Sequence, residues 1–175
     1  MDLPVREGHR GDAEGIIAYM QALAAEPNNG TLFGPGEFTV SIEEEQEILD
    51  RFATSDNSAL FIVHVGEQIV GIASVQGGRR KAARHTGTIA ITLRADYRDR
   101  GLGTRLMHHI IGWAKDTGVL KRLDLEVFSN NKRAIRLYEK MGFKHEGCRV
   151  RAFFKDGEYL DSLMMALWLD EAASC

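Results

Sequence analysis

Apolar residues recur along this chain in two rhythms, and the points where one gives way to the other separate strand-like from helix-like stretches. Leu3 and Val5, with polar neighbours, predict a short first strand. Ile16, Ile17, Met20 and Leu23 then fall at helical spacing between Gly11 and Ala25, with Asp12 placed to cap the helix. From Glu26 to Val40 the periodicity stops, and Pro27, Asn28, Asn29, Gly30, Gly34, Pro35 and Gly36 mark a long irregular loop. Loops of that length in a compact chain are more often functional than accidental. Ser41, with Glu44 three positions on, is a capping box opening a second helix through Phe52.

Two β-rich runs, Ala59 to Val65 and Gln68 to Val75, flank Gly66-Glu67 and predict a hairpin. A basic linker from Gly77 to Arg84 leads to a third run, Thr86 to Leu93, after which the period changes. Leu102, Leu106, Ile110, Ile111 and Trp113 line one face of a helix from Gly101 to Thr117, stopped by Gly118. A strand from Leu123 to Phe128 and a helix from Asn131 to Met141 follow, then strands near Phe143 to Phe154 and Tyr159 to Leu169, joined at Lys155-Asp156-Gly157. This order predicts an α+β fold with a largely antiparallel sheet. One strand-helix-strand crossover, Thr86 to Phe128, lays two strands side by side in parallel. No internal repeat or interior linker interrupts the 175 residues, so 1–175 reads as one domain with one site.

Composition then removes whole classes of function. With 44% apolar and 27% charged residues and no apolar run long enough to span a bilayer, a soluble chain without a membrane partner is expected. Met1 to Glu7 lacks the apolar stretch of a leader, which places the protein in the cytoplasm by default. A net charge of -3 argues against nucleic acid as the main partner. Cys148 and Cys175 read as spectator thiols, and none of the six histidines has metal-ligand spacing, so no metal is expected. Arg79, Arg80, Lys81 and Arg84 fit a solvated loop.

A second basic cluster holds the candidate chemistry. Tyr97-Arg98-Asp99-Arg100-Gly101-Leu102-Gly103-Thr104 joins a strand to a helix start, where glycines one residue apart bring the backbone close to a ligand. Unpaired amides and the positive helix end suit phosphate, and Arg98 and Arg100 are placed to add charge-assisted bonds. A tight strand-to-helix turn is the other use of such glycines. Gly103-Thr104-Arg105 lacks the Lys-Ser/Thr ending of a Walker A loop, and Leu106 stands where a dinucleotide fingerprint needs its third glycine.

Arg98-Asp99-Arg100-Gly101-Leu102-Gly103 resembles the Arg/Gln-x-x-Gly-x-Gly/Ala signature of the GCN5-related N-acetyltransferases. Asn131, Ala134, Leu137-Tyr138 and Gly142-Phe143 resemble that family's second block, Asn-x-x-Ala-x-x-Leu-Tyr-x-x-x-Gly-Phe, at the expected distance. The segment Lys155 to Asp161, with Met164-Met165 beyond, is similar to a phosphinothricin-acetyltransferase-like subgroup acting on small amino acids and analogues. The resemblance implies a mostly antiparallel sheet of about seven strands with about four helices and a parallel pair splayed at the cofactor site. It also implies acetyl-CoA as co-substrate and a small-molecule primary amine as acceptor, acetylated by direct attack in a ternary complex. Homodimers are common among such proteins.

By the same resemblance, Thr92 and Leu93 would offer backbone groups to the pantetheine arm, with the Leu93 N–H donating to the developing oxyanion. Arg98, Asp99, Arg100, Gly101, Leu102, Gly103 and Thr104 would hold the pyrophosphate, while Asn131, Ala134 and Tyr138 would meet the pantetheine region and Lys140 the 3'-phosphate. Tyr138 is the candidate general acid, although core packing on the Ala134, Leu137, Met141 face is the alternative use of that residue. For the general base, Glu126, Glu37, Glu26 and His85 stay open, with Glu126 carried forward as the catalytic candidate. The Glu26 to Val40 loop and the last hairpin would wall the acceptor site, which nominates Glu37, Phe38, Tyr159 and Asp161 as substrate contacts. Acetylation of a protein amino terminus or lysine, and a non-catalytic acyl-CoA-binding module, are the competing readings.

Overall fold

Alternating apolar positions with polar or small partners build seven strands into one sheet, ordered β1-β2-β3-β4-β5-β7-β6 in the computed structural model, which describes residues 3–170. Met1, Asp2 and Cys175 lie outside the described residues. The strands are β1 (Val5–Glu7), β2 (Ala59–Val65), β3 (Gln68–Gly77), β4 (Thr86–Leu93), β5 (Arg122–Phe128), β6 (Lys144–Lys155) and β7 (Glu158–Trp168). Four α-helices join them: α1 (Ala13–Ala24), α2 (Ile42–Ala53), α3 (Leu102–Asp116) and α4 (Lys132–Lys140). Neighbouring strands are antiparallel except β4 and β5, which run parallel around α3 as the crossover requires.

Side-chain alternation assigns each helix pair its face. Leu60, Ile62 and Ile72 point toward α1 and α2 and pack with Ile16, Tyr19, Leu23 and Leu49. Phe61, Val63, Ala73 and Val75, with Leu123, Leu125 and Val127 of β5, point the other way, against Leu106, Met107 and Ile110 of α3 and Ile135 and Tyr138 of α4. The larger core therefore lies beneath α3 and α4, and it fixes the floor on which β4 and β5 part.

Local chemistry departs from expectation at the first helix. Asp12 makes no side-chain cap for α1; it ends a short 3₁₀ turn, Arg10–Asp12, where its carboxylate accepts the His9 N–H at 2.8 Å and pairs with Arg6 at 2.7 Å. The guanidinium of Arg6 holds the Asp12 carboxyl below its ordinary range. At α2 the expected capping box is present, with Glu44 N–H on Ser41 Oγ at 3.2 Å and Ser41 N–H on Glu44 Oε2 at 2.8 Å.

The irregular stretch between α1 and α2 takes its shape from one buried amide. Asn29 Nδ2 donates to the carbonyls of Ala24, Glu26 and Phe33, each at 3.2 Å. Its Oδ1 accepts the Thr31 N–H at 2.9 Å and the Lys155 ammonium at 2.9 Å. Lys155 also donates to the Thr31 carbonyl at 2.6 Å, so the loop is clasped to the end of β6. Asn29→Ala removes these bonds while leaving the carbonyls buried, and should cost about 1–3 kcal/mol. A lowered urea midpoint with earlier proteolytic cleavage between residues 26 and 40 is the expected result.

Candidate active site

Parallel pairing of β4 with β5 runs only from Thr86 opposite Arg122 to Thr88 opposite Asp124. Beyond that point β4 keeps β3 as its partner, and the Arg94 N–H bonds the Val70 carbonyl at 3.0 Å. Backbone groups alternate sides along a strand, so the amides of Ile91 and Leu93 face away from β3, into the gap. A cleft of about 480 Å³ opens there. It passes through the sheet, with Tyr138 and the α3 start on one side and Glu126, Phe128 and the α1–α2 loop on the other.

The turn into α3 is built for close approach. Asp99 and Gly101 take positive φ values of 58° and 78°, a left-handed geometry that glycine adopts without strain. A Cβ on Gly103 would stand 3.2 Å from Leu137, so the absence of a side chain lets α3 lie close to α4. The first helical bond is Arg105 N–H to the Gly101 carbonyl, which leaves the amides of Leu102, Gly103 and Thr104 open at the positive helix end. Leu102 itself is buried in the core, so only its backbone is on offer, whereas Gly101, Gly103 and Thr104 line the cleft. These open amides fit a diphosphate.

The arginines of this turn are placed differently from the expectation that both flank the phosphate. Arg98 is turned inward: its Nε donates to the Leu93 carbonyl at 2.9 Å and its Nη2 to Glu26 Oε2 at 2.9 Å. Arg98 nonetheless lines the cleft, with these two donors committed to partners within the protein. Arg100 lies over the Tyr97 ring at 5.7 Å and does not line the cleft. Asp99 lines it, with Arg133 at 3.3 Å.

On α4, Asn131 caps the helix by accepting the Ala134 N–H at 3.2 Å, and both residues line the cleft. Tyr138, two helical turns from Asn131, is 6% exposed and borders the same space. Burial pushes its phenol up to about 12, and among the described residues its hydroxyl has no hydrogen-bond partner. Tyr138 therefore packs against Phe143, with ring centroids 5.9 Å apart, and also presents a neutral O–H to the cleft. Lys140 is exposed in the last turn of α4, outside the cleft.

Of the four candidate bases, the structure brings only Glu126 to the cleft. Its Oε2 accepts the Ser162 hydroxyl at 3.0 Å, and Arg149 stands 3.3 Å from both oxygens. Glu26 is taken up by Arg94 at 2.6 Å, by Arg98 and by the Ala95 N–H at 3.0 Å, which removes it as a base. Glu37 accepts the Gly34 N–H at 2.7 Å, and neither it nor His85 lines the cleft. The four nominated substrate contacts also fall outside its lining. Phe38 supports it indirectly, edge-on to Phe33 at 5.2 Å. Tyr159 is 63% exposed against Phe154, and Asp161 accepts the Arg151 N–H at 2.7 Å.

On the Glu126 face the cleft is lined instead by Met20, Leu32, Phe33, Phe128, Phe153 and Ser162. Strand alternation from Glu126 points to Phe128, and pairing with β7 then points to Ser162, so two of these had a signal in the sequence. Met20 belongs to the helical period of α1, and nothing periodic marks Leu32, Phe33 and Phe153. Among the described residues no group of three or more His, Cys, Asp or Glu could hold a metal, and no helix is long and apolar enough to cross a membrane.

Known proteins share this fold. An acetyltransferase of the GNAT family from Streptococcus pneumoniae superposes with a TM-score of 0.91 at 30% identity, covering 95% of this chain and 99% of that one. A phosphinothricin acetyltransferase from Sinorhizobium meliloti, in complex with AcCoA, has the same fold with a TM-score of 0.83 at 20% identity, over 98% of this chain and 90% of that one. In sequence, the L-methionine sulfoximine/L-methionine sulfone acetyltransferase of Pseudomonas aeruginosa is 28% identical over 177 aligned positions, covering 99% of both chains. Residues 22–143, which include the open-amide turn and all of α4, match the acetyltransferase (GNAT) family, and the chain belongs to it.

Proposed function

We propose that this acetyl-CoA-dependent N-acetyltransferase acts on the primary amine of a small molecule of the amino-acid class, by direct attack in a ternary complex. The observation that carries the reading is the passage of the cleft through the sheet, which puts one proton donor and one proton acceptor on opposite faces. A donor thioester on the Tyr138 side and an amine on the Glu126 side meet at the β4 edge. The full-length similarity to an amino-acid-analogue acetyltransferase supports the acceptor class. So does the clasp between Lys155 and the α1–α2 loop, which holds that loop against the last hairpin beside the acceptor half.

Acetyl-CoA supplies an acyl group already activated as a thioester. Glu126 takes the ammonium proton, directly or through water, and so frees the lone pair for attack. The Leu93 N–H, with no strand partner, donates to the carbonyl oxygen as it gains charge. Tyr138 returns a proton to the departing sulfur. A phenol at about 12 is a weak acid for a thiol of ordinary pKa near 8.5. The same desolvation raises the basicity of a thiolate formed beside it, so the two shift together. Met20, Phe33, Phe128 and Phe153 receive the apolar body of the acceptor and keep water from the thioester.

Thiol release from acetyl-CoA should appear with amino acids and their analogues in an amine panel, and be weak with peptide amino termini. Turnover confined to peptides would refute the acceptor class, and binding without turnover for every amine would indicate a sensing module. With an active acceptor in hand, Tyr138→Phe should lower kcat by about 100-fold and leave the Kd for CoA nearly unchanged, and Glu126→Gln should lower kcat/KM by a similar factor. Unchanged turnover in either variant would remove that residue from the mechanism. Because the Tyr138 phenol is raised, its donor form persists as pH climbs through its ordinary value of about 10 and is lost only toward about 12. With Glu126 taking the ammonium proton on the enzyme, the pH profile of kcat/KM should show no tyrosine-dependent fall up to about pH 10; a tyrosine-dependent fall beginning near pH 8 would contradict the assignment.

A further inference from the structure

Beside Glu126 stands a cation that the proposed chemistry does not use. Arg149 Nη1 lies 3.3 Å from both oxygens of Glu126, and the two side chains are 53% and 47% exposed. A pair so open to solvent contributes little to folding. The guanidinium carries five N–H donors on three nitrogens, and among the described residues neither Nε nor Nη2 has a hydrogen-bond partner. One nitrogen faces the carboxylate, and the rest of the fork is open.

The position of Arg149 follows from the sheet. It lies opposite Ser162, which lies opposite Phe128, and residues directly paired across strands share a face. Glu126, two positions before Phe128, is on that face too. Just after Arg149 the register breaks: four steps along β6, to Phe153, match two along β7, from Ser162 to Leu160. Arg151, inside this bulge, takes a positive φ of 51°. In a regular strand residues four apart are separated by about 13 Å. Here the Arg149 guanidinium comes within 6.0 Å of the Phe153 ring. Glu126 and Phe153 both line the cleft, so the bulge sets the cation at its rim, between a lining carboxylate and a lining ring.

Nearby cations are engaged elsewhere. Lys155 holds Asn29 and the loop carbonyls, and Arg122 holds Asp124 and Glu146. Arg133 lines the cleft but pairs with Asp99 at the α3 turn, on the donor side. An α-amino acid carries its two charges two bonds apart, with about 2.5 Å between the nitrogen and the carboxyl carbon. Glu126 and Arg149 present the opposite charges at a similar separation, 3.3 Å. We infer that this pair is a two-point template for the acceptor: Glu126 receives the α-ammonium, and Nε and Nη2 of Arg149 take the α-carboxylate. The four charges then alternate in sign, so every neighbouring contact is attractive. Bonds from the fork to a carboxylate are paired and charge-assisted, whereas an amine lacking an adjacent carboxylate leaves the fork unfilled. The inference rests on the proposed amino-acid acetylation and deepens it, since the acceptor it selects bears a free carboxylate on the carbon that carries the amine.

Three acceptors that share a side chain test the template: L-methionine, L-methioninamide and 3-(methylthio)propylamine, which lacks the carboxyl carbon. The best amino acid of the panel would be treated in the same way, with its amide and its decarboxylated amine. With acetyl-CoA as donor, the ratio of kcat/KM for free acid to that for amide is taken within each protein and compared between proteins, so that the differing basicities of the amines cancel. The ratio should fall by about 10- to 100-fold in Arg149→Gln, the size of a lost charge-assisted contact. It should fall less in Arg149→Lys, which keeps the charge without the fork and decides the matter should the first variant not fold. Glu126→Gln should lower all three acceptors together. If Arg149→Gln lowers acid, amide and amine by one common factor, the arginine merely steadies Glu126; the template is then overturned while amino-acid acetylation stands. A wild-type protein that acetylates amines but no amino acid would sink the proposed acceptor class instead. Where turnover is lacking, NMR titration of the CoA-loaded protein with L-methionine and its amide judges the template by itself. A preference for the acid that disappears in Arg149→Gln supports it, and equal affinities in the wild type overturn it.

Discussion

Backbone groups on a strand need partners, and among the described residues the edge that β4 presents after Thr88 has no strand partner, its Leu93 carbonyl being met by Arg98 Nε. β5 turns away, α3 and α4 cover the floor, and the amides of Ile91 and Leu93 are left facing a gap. The rest of the site is arranged around that deficit. The open amides of Leu102, Gly103 and Thr104 sit at the same end of the gap, and Tyr138 rises from α4 on one side of it. A partner carrying amides along its length and phosphates at its end satisfies both sets of groups at once. The parting of two strands, more than any one side chain, makes the fold suited to a long thioester donor.

The strand-to-helix alternation and the parallel crossover were legible because each rests on a local period. The open-amide turn was legible for a similar reason, since its glycines and its helix start lie within a few residues of one another. The side-chain partners were harder to read. Asp12 looks like a helix cap until Arg6 and the His9 amide compete for it. Arg98 reads as a phosphate ligand from its spacing, and nothing local shows that a carboxylate 72 positions away also reaches it. Local spacing reveals what a backbone will do. It says little about which of two distant ions a guanidinium will choose.

The acceptor wall shows the same limit from another side. Glu126 and Phe128 follow from strand alternation, but Met20, Leu32, Phe33 and Phe153 come from a helix, an aperiodic loop and an irregular stretch of β6, brought together only by the tertiary fold. Glu37, Phe38, Tyr159 and Asp161 lie on the expected segments and point elsewhere. Other residues of the same segments line the cleft while these four do not, because a loop has no repeating rule for orientation. The site therefore joins a donor half written in a compact motif to an acceptor half written across most of the chain.

The clasp at Lys155 bears on how that acceptor half can change over generations. Apart from Asn29, the loop atoms its ammonium meets, at Thr31 and Phe33, are main-chain carbonyls. Such a joint dictates the path of the polypeptide and is indifferent to the side chains strung along it. Leu32 and Phe33 can thus be exchanged for other residues while the enclosure keeps its outline, so that drift or a designer can retune molecular preference by altering the lining and leaving the frame alone.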